Sequence, residues 1–202
     1  MSRISEKRFD RSFFEREVTV VARELLGAYV HRRLGDVELI GRIVETEAYH
    51  QSDPASHSYR GMTERNKIMF GEAGFAYVYF TYGMHYCANV VSGSVGSAEA
   101  ILLRALEPVS GTETMFQRRK KARTEKDLLS GPGKLCEAFS ISRQENGTDL
   151  ITSDDLFLTR GKITKGEKIG VTSRVGITVA MEKQWRFFIK GNPFISKGKP
   201  SA

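Results

Sequence analysis

The sequence predicts an α+β fold built as one domain. Runs rich in β-branched and aromatic residues dominate the middle and later parts of the chain. Helical periodicities fall among them irregularly and do not alternate with them, which disfavours a doubly wound parallel sheet. The 202 residues carry no internal repeat and no Pro/Gly/Ser-rich linker, and that length suits a single domain with a substantial core.

Phe14, Val18, Val21, Ala22 and Leu25 recur at helical spacing, with Asp10 or Ser12 as a cap and Gly27 as a stop. Residues 37–48 read as a strand. Leu39 and Ile43 fall on one face and Ile40 and Val44 on the other, so a central strand covered on both sides is expected. The stretch 51–74 holds Asp53-Pro54, Arg60-Gly61 and Gly71-Glu72-Ala73-Gly74 turn signals and reads as a loop too long for plain connection. Residues 77–89 read as two aromatic strands joined by a tight apolar turn, Tyr82-Gly83-Met84. A Ser/Gly-rich turn at 92–97 leads into an apolar strand over 100–106, closed by Pro108. Residues 112–124 read as a basic helix. Gly131-Pro132-Gly133 opens a further helix through Phe139, with Pro132 at a favoured first-turn position. Phe157-Leu158, 171–179 and 187–189 read as later strands, and the tail from Lys197 is expected to fray.

A formal net charge of +7 favours a polyanionic partner such as DNA, RNA or a membrane surface. Cys87 and Cys136 lie far apart with no CxxC spacing, as expected of free buried thiols in a reducing compartment. The first residues carry no apolar signal-like run, and no stretch of about 20 apolar residues exists, so neither secretion nor a membrane span is expected.

Period-2 alternation places Glu45, Glu47 and Tyr49 on one face. A partly desolvated carboxylate beside an aromatic ring suits general-base activation of water. A solvated or salt-bridged glutamate is the plainer alternative. His57 stands in a loop, where a lone histidine is more often structural than functional. Glu45, Glu47, His50 and His57 offer metal-ligand atoms, but their spacing matches no familiar site. Arg104 interrupts an apolar strand, and a buried cation needs a partner, either Glu47 or a phosphate. Tyr77 and Tyr79 share a strand face, which suits either core packing or stacking. Asn89 offers a donor and an acceptor to a base edge or to backbone. The apolar turn at Tyr82 and Met84 suits a wedge that unstacks DNA base steps, and chemistry on a base requires such unstacking. Arg118, Arg119, Lys120, Lys121, Arg123 and Lys126 would line the basic helix, as a solvated face or as phosphate contacts.

Several segments match one family in order along nearly the whole chain. They are Glu24-Leu25-Leu26-Gly27, Arg42-Ile43-Val44-Glu45-Thr46-Glu47-Ala48-Tyr49, His57-Ser58, Arg65-Asn66 with Met69-Phe70, and the aromatic hairpin. Further matches are Leu102-Leu103-Arg104-Ala105-Leu106-Glu107-Pro108, Gly131-Pro132-Gly133-Lys134-Leu135-Cys136, Arg174-Val175-Gly176 and Gly191-Asn192-Pro193. Together they resemble the alkyladenine (3-methyladenine) DNA glycosylase family, in the compact form of its bacterial members. The resemblance implies one mixed domain around a mainly antiparallel curved sheet, with flanking helices and a protruding hairpin. It implies a monofunctional enzyme that flips alkylated or deaminated purines out of double-stranded DNA and hydrolyses the N-glycosidic bond.

By the same resemblance Glu47 falls on the general base and Arg104 on the arginine that helps hold the catalytic water. Tyr49, His57 and Tyr79 fall on the walls of the base pocket, and Asn89 on the asparagine that penalises guanine. Tyr82 falls on the residue that fills the gap left by the flipped nucleotide. No metal, organic cofactor or membrane is expected. A monomer working on damaged DNA in the cytoplasm, or in the nucleus of a eukaryotic source, is expected. The rival readings are a non-catalytic module for distorted nucleic acid and an RNA-binding or RNA-modifying domain.

Overall fold

In the computed structural model, which describes residues 7–81 and 83–201, one long strand is the axis of the fold. This strand, β2 (Val37–His50), follows β1 (Tyr29–Leu34) in an antiparallel hairpin. β3 (Ala76–Thr81) and β4 (His85–Val91) form the aromatic hairpin, and β4 pairs with β5 (Glu99–Ser110). β6 (Leu156–Thr159), β7 (Ile169–Thr172) and β8 (Arg186–Ile189) complete an eight-stranded sheet in the order β3-β4-β5-β2-β1-β6, with β7 joined through β8. Every ladder is antiparallel. One edge of β2 pairs with β5. Its other edge is divided between β1 and, at Glu45 to Glu47, β8, so the sheet curls at this point.

The helices pack where the apolar spacing directs them. The expected first helix is two: α1 (Arg11–Phe14) and α2 (Val18–Glu24). The break falls at Glu17, whose carboxylate accepts from the Val20 N–H at 3.0 Å and caps α2, whereas Asp10 makes no side-chain cap. The stripe survives the break: Phe14, Val18, Val21, Ala22 and Leu25 are all fully buried. Each large member of it contributes roughly 1.5–3 kcal/mol of apolar burial. Gly27 has φ +90°, and a Cβ there would lie 2.3 Å from the Lys162 carbonyl carbon, so only glycine allows this crossing. α2 lies on β2.

The basic helix expected over 112–124 is shorter. α3 (Thr112–Arg118) ends where Arg119 turns inward, and Thr124 then caps a new helix, α4 (Glu125–Leu128), in a capping box with Asp127. α5 (Pro132–Phe139) packs on β4 and β5 and buries Leu135, Cys136, Ala138 and Phe139. A second, smaller apolar cluster includes Met69, Tyr77 and Ala100.

Two further expectations change, and one strand is found where none was expected. β1 carries His31-Arg32-Arg33 where an apolar alternation would announce a strand, so periodicity does not signal it. The strand expected over 171–179 stops at Thr172, because the N–H groups of Val175 and Ile177 bond to Glu47 and Ser201 and not to a ladder. The tail from Lys197 is tied down through residue 201, with Pro200 bridging to Val175 and Ser201 bonded to the 173–177 backbone. No helix among the described residues is long and apolar enough to cross a membrane.

Candidate active site

Two irregularities in the β2–β5 ladder build the floor of the site. Ile43 pairs with Leu106 and Glu45 with Ala105, so Val44 is extra on β2. Thr46 then pairs with Leu103, so Arg104 is extra on β5. Bulges re-aim side chains. Here they bring Arg104 onto the face that carries Glu45 and Glu47, while the Thr46 hydroxyl points the other way and donates to Ala22 O on α2.

Arg104 Nε donates to Glu45 Oε1 at 3.0 Å and its Nη1 to Glu47 Oε2 at 3.3 Å. Glu45 also accepts from Arg186 Nε at 2.7 Å and from the Ser196 N–H at 2.6 Å. Glu47 accepts from the Val175 N–H at Oε1 (2.7 Å) and from the Tyr49 hydroxyl at Oε2 (2.9 Å). Both carboxylates are fully buried. A carboxylate has about four acceptor sites, and Glu47 uses one on Oε1 and two on Oε2, leaving a site on Oε1 beside Val175. Burial pushes the Glu47 pKa above the ordinary carboxylate value, against the opposing pull of Arg104, the Val175 N–H and the Tyr49 hydroxyl. When ionised, a carboxylate so raised is a stronger base than a free one, which suits it to take a proton from water.

Above this floor opens a cleft of about 240 Å³, lined among others by Tyr49, His57, Tyr79, Asn89, Arg104 and Val175. It is smaller than the roughly 300–1,000 Å³ of drug-sized ligand sites, a scale that suits one planar base. Tyr77 and Tyr79 lie 5.4 Å apart between ring centroids, and His57 meets Tyr79 edge-on at 4.5 Å. His57 stands on the long loop, which Asn66 fixes by donating to His57 O at 2.8 Å and to Gly61 O at 3.0 Å. Its Nδ1 lies 3.1 Å from the Tyr77 hydroxyl. Desolvation, then Arg65, lowers the His57 pKa, an effect limited by the open face this ring keeps toward solvent. Burial pushes Tyr77 up to about 12 and also raises Tyr79 and Tyr49 well above the ordinary phenol value, so all three are neutral phenols. Behind Tyr49 sits the fully buried Arg174, its guanidinium carbon 4.6 Å from the ring centroid, and it donates to Asp53 and to Ala48 O. A neutral aromatic box of this kind attracts planar cations.

The structure thus brings Glu47, Arg104, Tyr49, His57, Tyr79 and Asn89 together. The Asn89 amide donates to Tyr77 O at 2.9 Å, the backbone role weighed against base reading, and its residue still borders the cleft. Met84 is 70% exposed at the hairpin tip, with Phe80 beside it at 40%. Tyr82 lies outside the described residues. The phosphate-contact set divides. Arg119 is buried and paired with Glu137, and Arg118 donates to Ala138 O, so both serve the α3–α5 packing; Lys120 and Lys121 are exposed. Among the described residues no group of three His, Cys, Asp or Glu side chains is arranged to hold a metal, and Glu45 and Glu47 are engaged by arginines. No lysine is among the described residues lining the cleft. Sequence reasoning missed Glu45 as the anchor of Arg104, together with Ser196, Arg186 and the Val175 N–H. Only Arg174-Val175-Gly176 left a trace, as a matching segment with no role attached.

Comparison with known proteins adds independent findings. A family model described as methylpurine-DNA glycosylase matches residues 12–193. A protein of Carboxydothermus hydrogenoformans is 50% identical over 187 residues, which is 93% of this chain and 97% of the relative. One from Francisella tularensis is 48% identical over 178 residues, covering 87% and 92%. One from Methanoculleus marisnigri is 48% identical over 191 residues, covering 92% and 97%. All three are provisionally named 3-methyladenine DNA glycosylases.

Proposed function

The chain belongs to the methylpurine-DNA glycosylase family and is a monofunctional DNA glycosylase of base-excision repair; from that premise we propose that it excises alkylated purines, 3-methyladenine among them, using Glu47 as the base. The observation that carries this reading is one buried carboxylate held by Arg104, Val175 and Tyr49, all three of which line an aromatic cleft of base size.

The purine leaves the duplex and lies among Tyr49, His57 and Tyr79. A purine alkylated at N3 or N7 carries positive charge, which the neutral rings stabilise, and it is a good leaving group without a general acid. The glycosidic bond loosens toward an oxocarbenium-like state. The ionised Glu47 stabilises that positive charge and takes a proton from a water at its unused Oε1 site. Oxygen bonds to the anomeric carbon, the base departs with the bonding pair, and an abasic site remains. Arg104 keeps Glu47 ionised and oriented. Asn89, held by Tyr77 O, presents its amide to the base edge and discriminates against guanine. Tyr82 and Met84 fill the gap left in the duplex, and exposed lysines such as Lys120 and Lys121 meet phosphates. That the described residues lining the cleft come from one chain supports an enzyme that works as a monomer.

A base must be ionised to act. The raised pKa of Glu47 therefore predicts an excision rate that is maximal above that pKa and falls about tenfold per pH unit below it. Single-turnover release of methylpurine from a purine-methylated duplex, measured across pH, checks this. A rate independent of pH down to pH 4 would contradict it.

A further inference from the structure

Residues beyond the family match, which ends at 193, reach both halves of the site. The Ser196 N–H and hydroxyl both donate to Glu45, at 2.6 and 2.8 Å, and Ser196 Oγ accepts from Arg104 Nη2 at 3.2 Å. Further along, the Ser201 N–H donates to Arg174 O at 2.9 Å and its hydroxyl to Ile177 O at 2.7 Å. Ser201 also accepts, at Oγ from the Ile177 N–H (3.2 Å) and at its carbonyl from the Ser173 hydroxyl (2.6 Å). Pro200 bridges to Val175. Between these anchors Gly198 lies flat on the wall. A Cβ there would stand 2.4 Å from Val175 Cγ1 and 3.4 Å from Arg104 Nη2.

The wall 173–177 belongs to no strand or helix. Inward, it is fixed by the Arg174 side chain on Asp53 and Ala48 and by the Val175 N–H on Glu47. Outward, its backbone bonds go to Ser201. A bond from irregular backbone to a buried carboxylate keeps its geometry only if the backbone is held from both sides. The same segment that holds the wall also holds Arg104, so two of the three partners of Glu47 share one brace.

We propose that residues 196–201 strap the cleft wall onto the Glu45–Arg104–Glu47 floor, with Gly198 and Ser201 as positioning residues for Glu47. This inference rests on the reading of Glu47 as the base. Loosening the strap weakens the Val175 N–H bond to Glu47, one of the interactions that lower its pKa. Facing Glu47 remain Arg104 from β5, Tyr49 and Glu45 from its own strand, Tyr79 from β3 and Cys87 from β4. The carboxyl pKa then rises, and the acidic limb of the excision profile moves to higher pH.

The experiment is single-turnover base release from a purine-methylated duplex across pH, with melting temperatures, for the wild type, Ser201→Ala, Ser201→Thr, Gly198→Ala and Glu47→Gln. Ser201→Ala and Gly198→Ala are expected to slow excision at least about tenfold, since small misplacements of a reacting group are costly. Both are expected to move the acidic limb upward with little change in melting temperature. Ser201→Thr, which keeps the hydroxyl, is expected to restore the wild-type limb. Unchanged rates and limbs in both alanine variants overturn the proposal, and so does a loss that follows melting temperature with the limb unmoved. If Glu47→Gln abolishes release while the strap variants behave as wild type, only the strap is refuted. If Glu47→Gln still releases base, the reading of Glu47 falls and the strap proposal with it.

Discussion

On one side of the cleft, Glu47, Tyr49 and Arg104 project from paired strands of the sheet. On the other, His57 and Val175 stand on backbone that belongs to no strand. The sheet side takes its geometry from register: two bulges turn Arg104 onto the carboxylate face, and Glu45, bound by Arg104 and Arg186, fixes that turn. The loop side takes its geometry from side chains that reach for main chain: Asn66 under His57, and Arg174 and Ser201 around Val175. The ion pairs around Glu47 accordingly stand on the sheet, while the loop side carries one buried pair of its own, Arg174 with Asp53, behind the Tyr49 wall.

The sharpest way to break this comparison is to remove the arginine of each side. Arg104→Met strips Glu47 of its ion-pair partner in a fully buried setting, a loss of about 3–5 kcal/mol for breaking a buried pair. A fall in melting temperature on the order of 10 °C, together with loss of excision, is expected from calorimetry and base-release assays. Arg174→Met also breaks a fully buried ion pair, with Asp53, and is expected to cost about 3 kcal/mol, the lower end of the same scale. Asp53 keeps Lys183 at 3.8 Å, and Arg174 itself buries Nε and Nη2 without partners. Equal losses in the two variants would mean that the loop side is no less ionic in its support than the sheet side.

A smaller effect separates shape from charge. Tyr79→Ala removes one wall of the aromatic box and is expected to weaken binding of a methylated duplex by about 1–3 kcal/mol, the scale of one base–aromatic stack. Tyr79→Phe is expected to bind within a few-fold of the wild type, because the buried phenol is neutral. Fluorescence anisotropy with both variants distinguishes a stacking wall from a titrating one. The smallest effect on the folded state comes from the hairpin tip. Met84→Ser, at a side chain 70% exposed, is expected to change stability by less than about 0.5 kcal/mol. It should nonetheless lower affinity for the damaged duplex severalfold, and equal affinity would remove Met84 from the wedge.

The two sides also differ in what their sequence reveals. The long strand at 37–48, Arg104 inside an apolar run, and Glu45, Glu47 and Tyr49 on one face were legible because period-2 patterning and a lone buried charge are local signals. Their grouping as a site needed the ordered family segments. What was not legible is long-range. Arg119 looks like one more surface cation until its bond to Glu137, 18 residues on, draws it inward. Glu45 looks equivalent to Glu47 until Arg186 and Ser196 arrive from distant parts of the chain. Val175 contributes an N–H, which no side-chain pattern encodes. The expected strand at 171–179 failed for the same reason, since its backbone donors serve a carboxylate and a serine instead of a ladder.

Release of free methylpurine from a purine-methylated duplex by the wild type and by Glu47→Gln, with duplex binding followed in parallel, tests the account most directly. The account predicts rapid release by the wild type, a loss of about 100-fold or more in the variant, the scale of general-base catalysis, and retained binding by both. Release by Glu47→Gln at a rate near that of the wild type would contradict it.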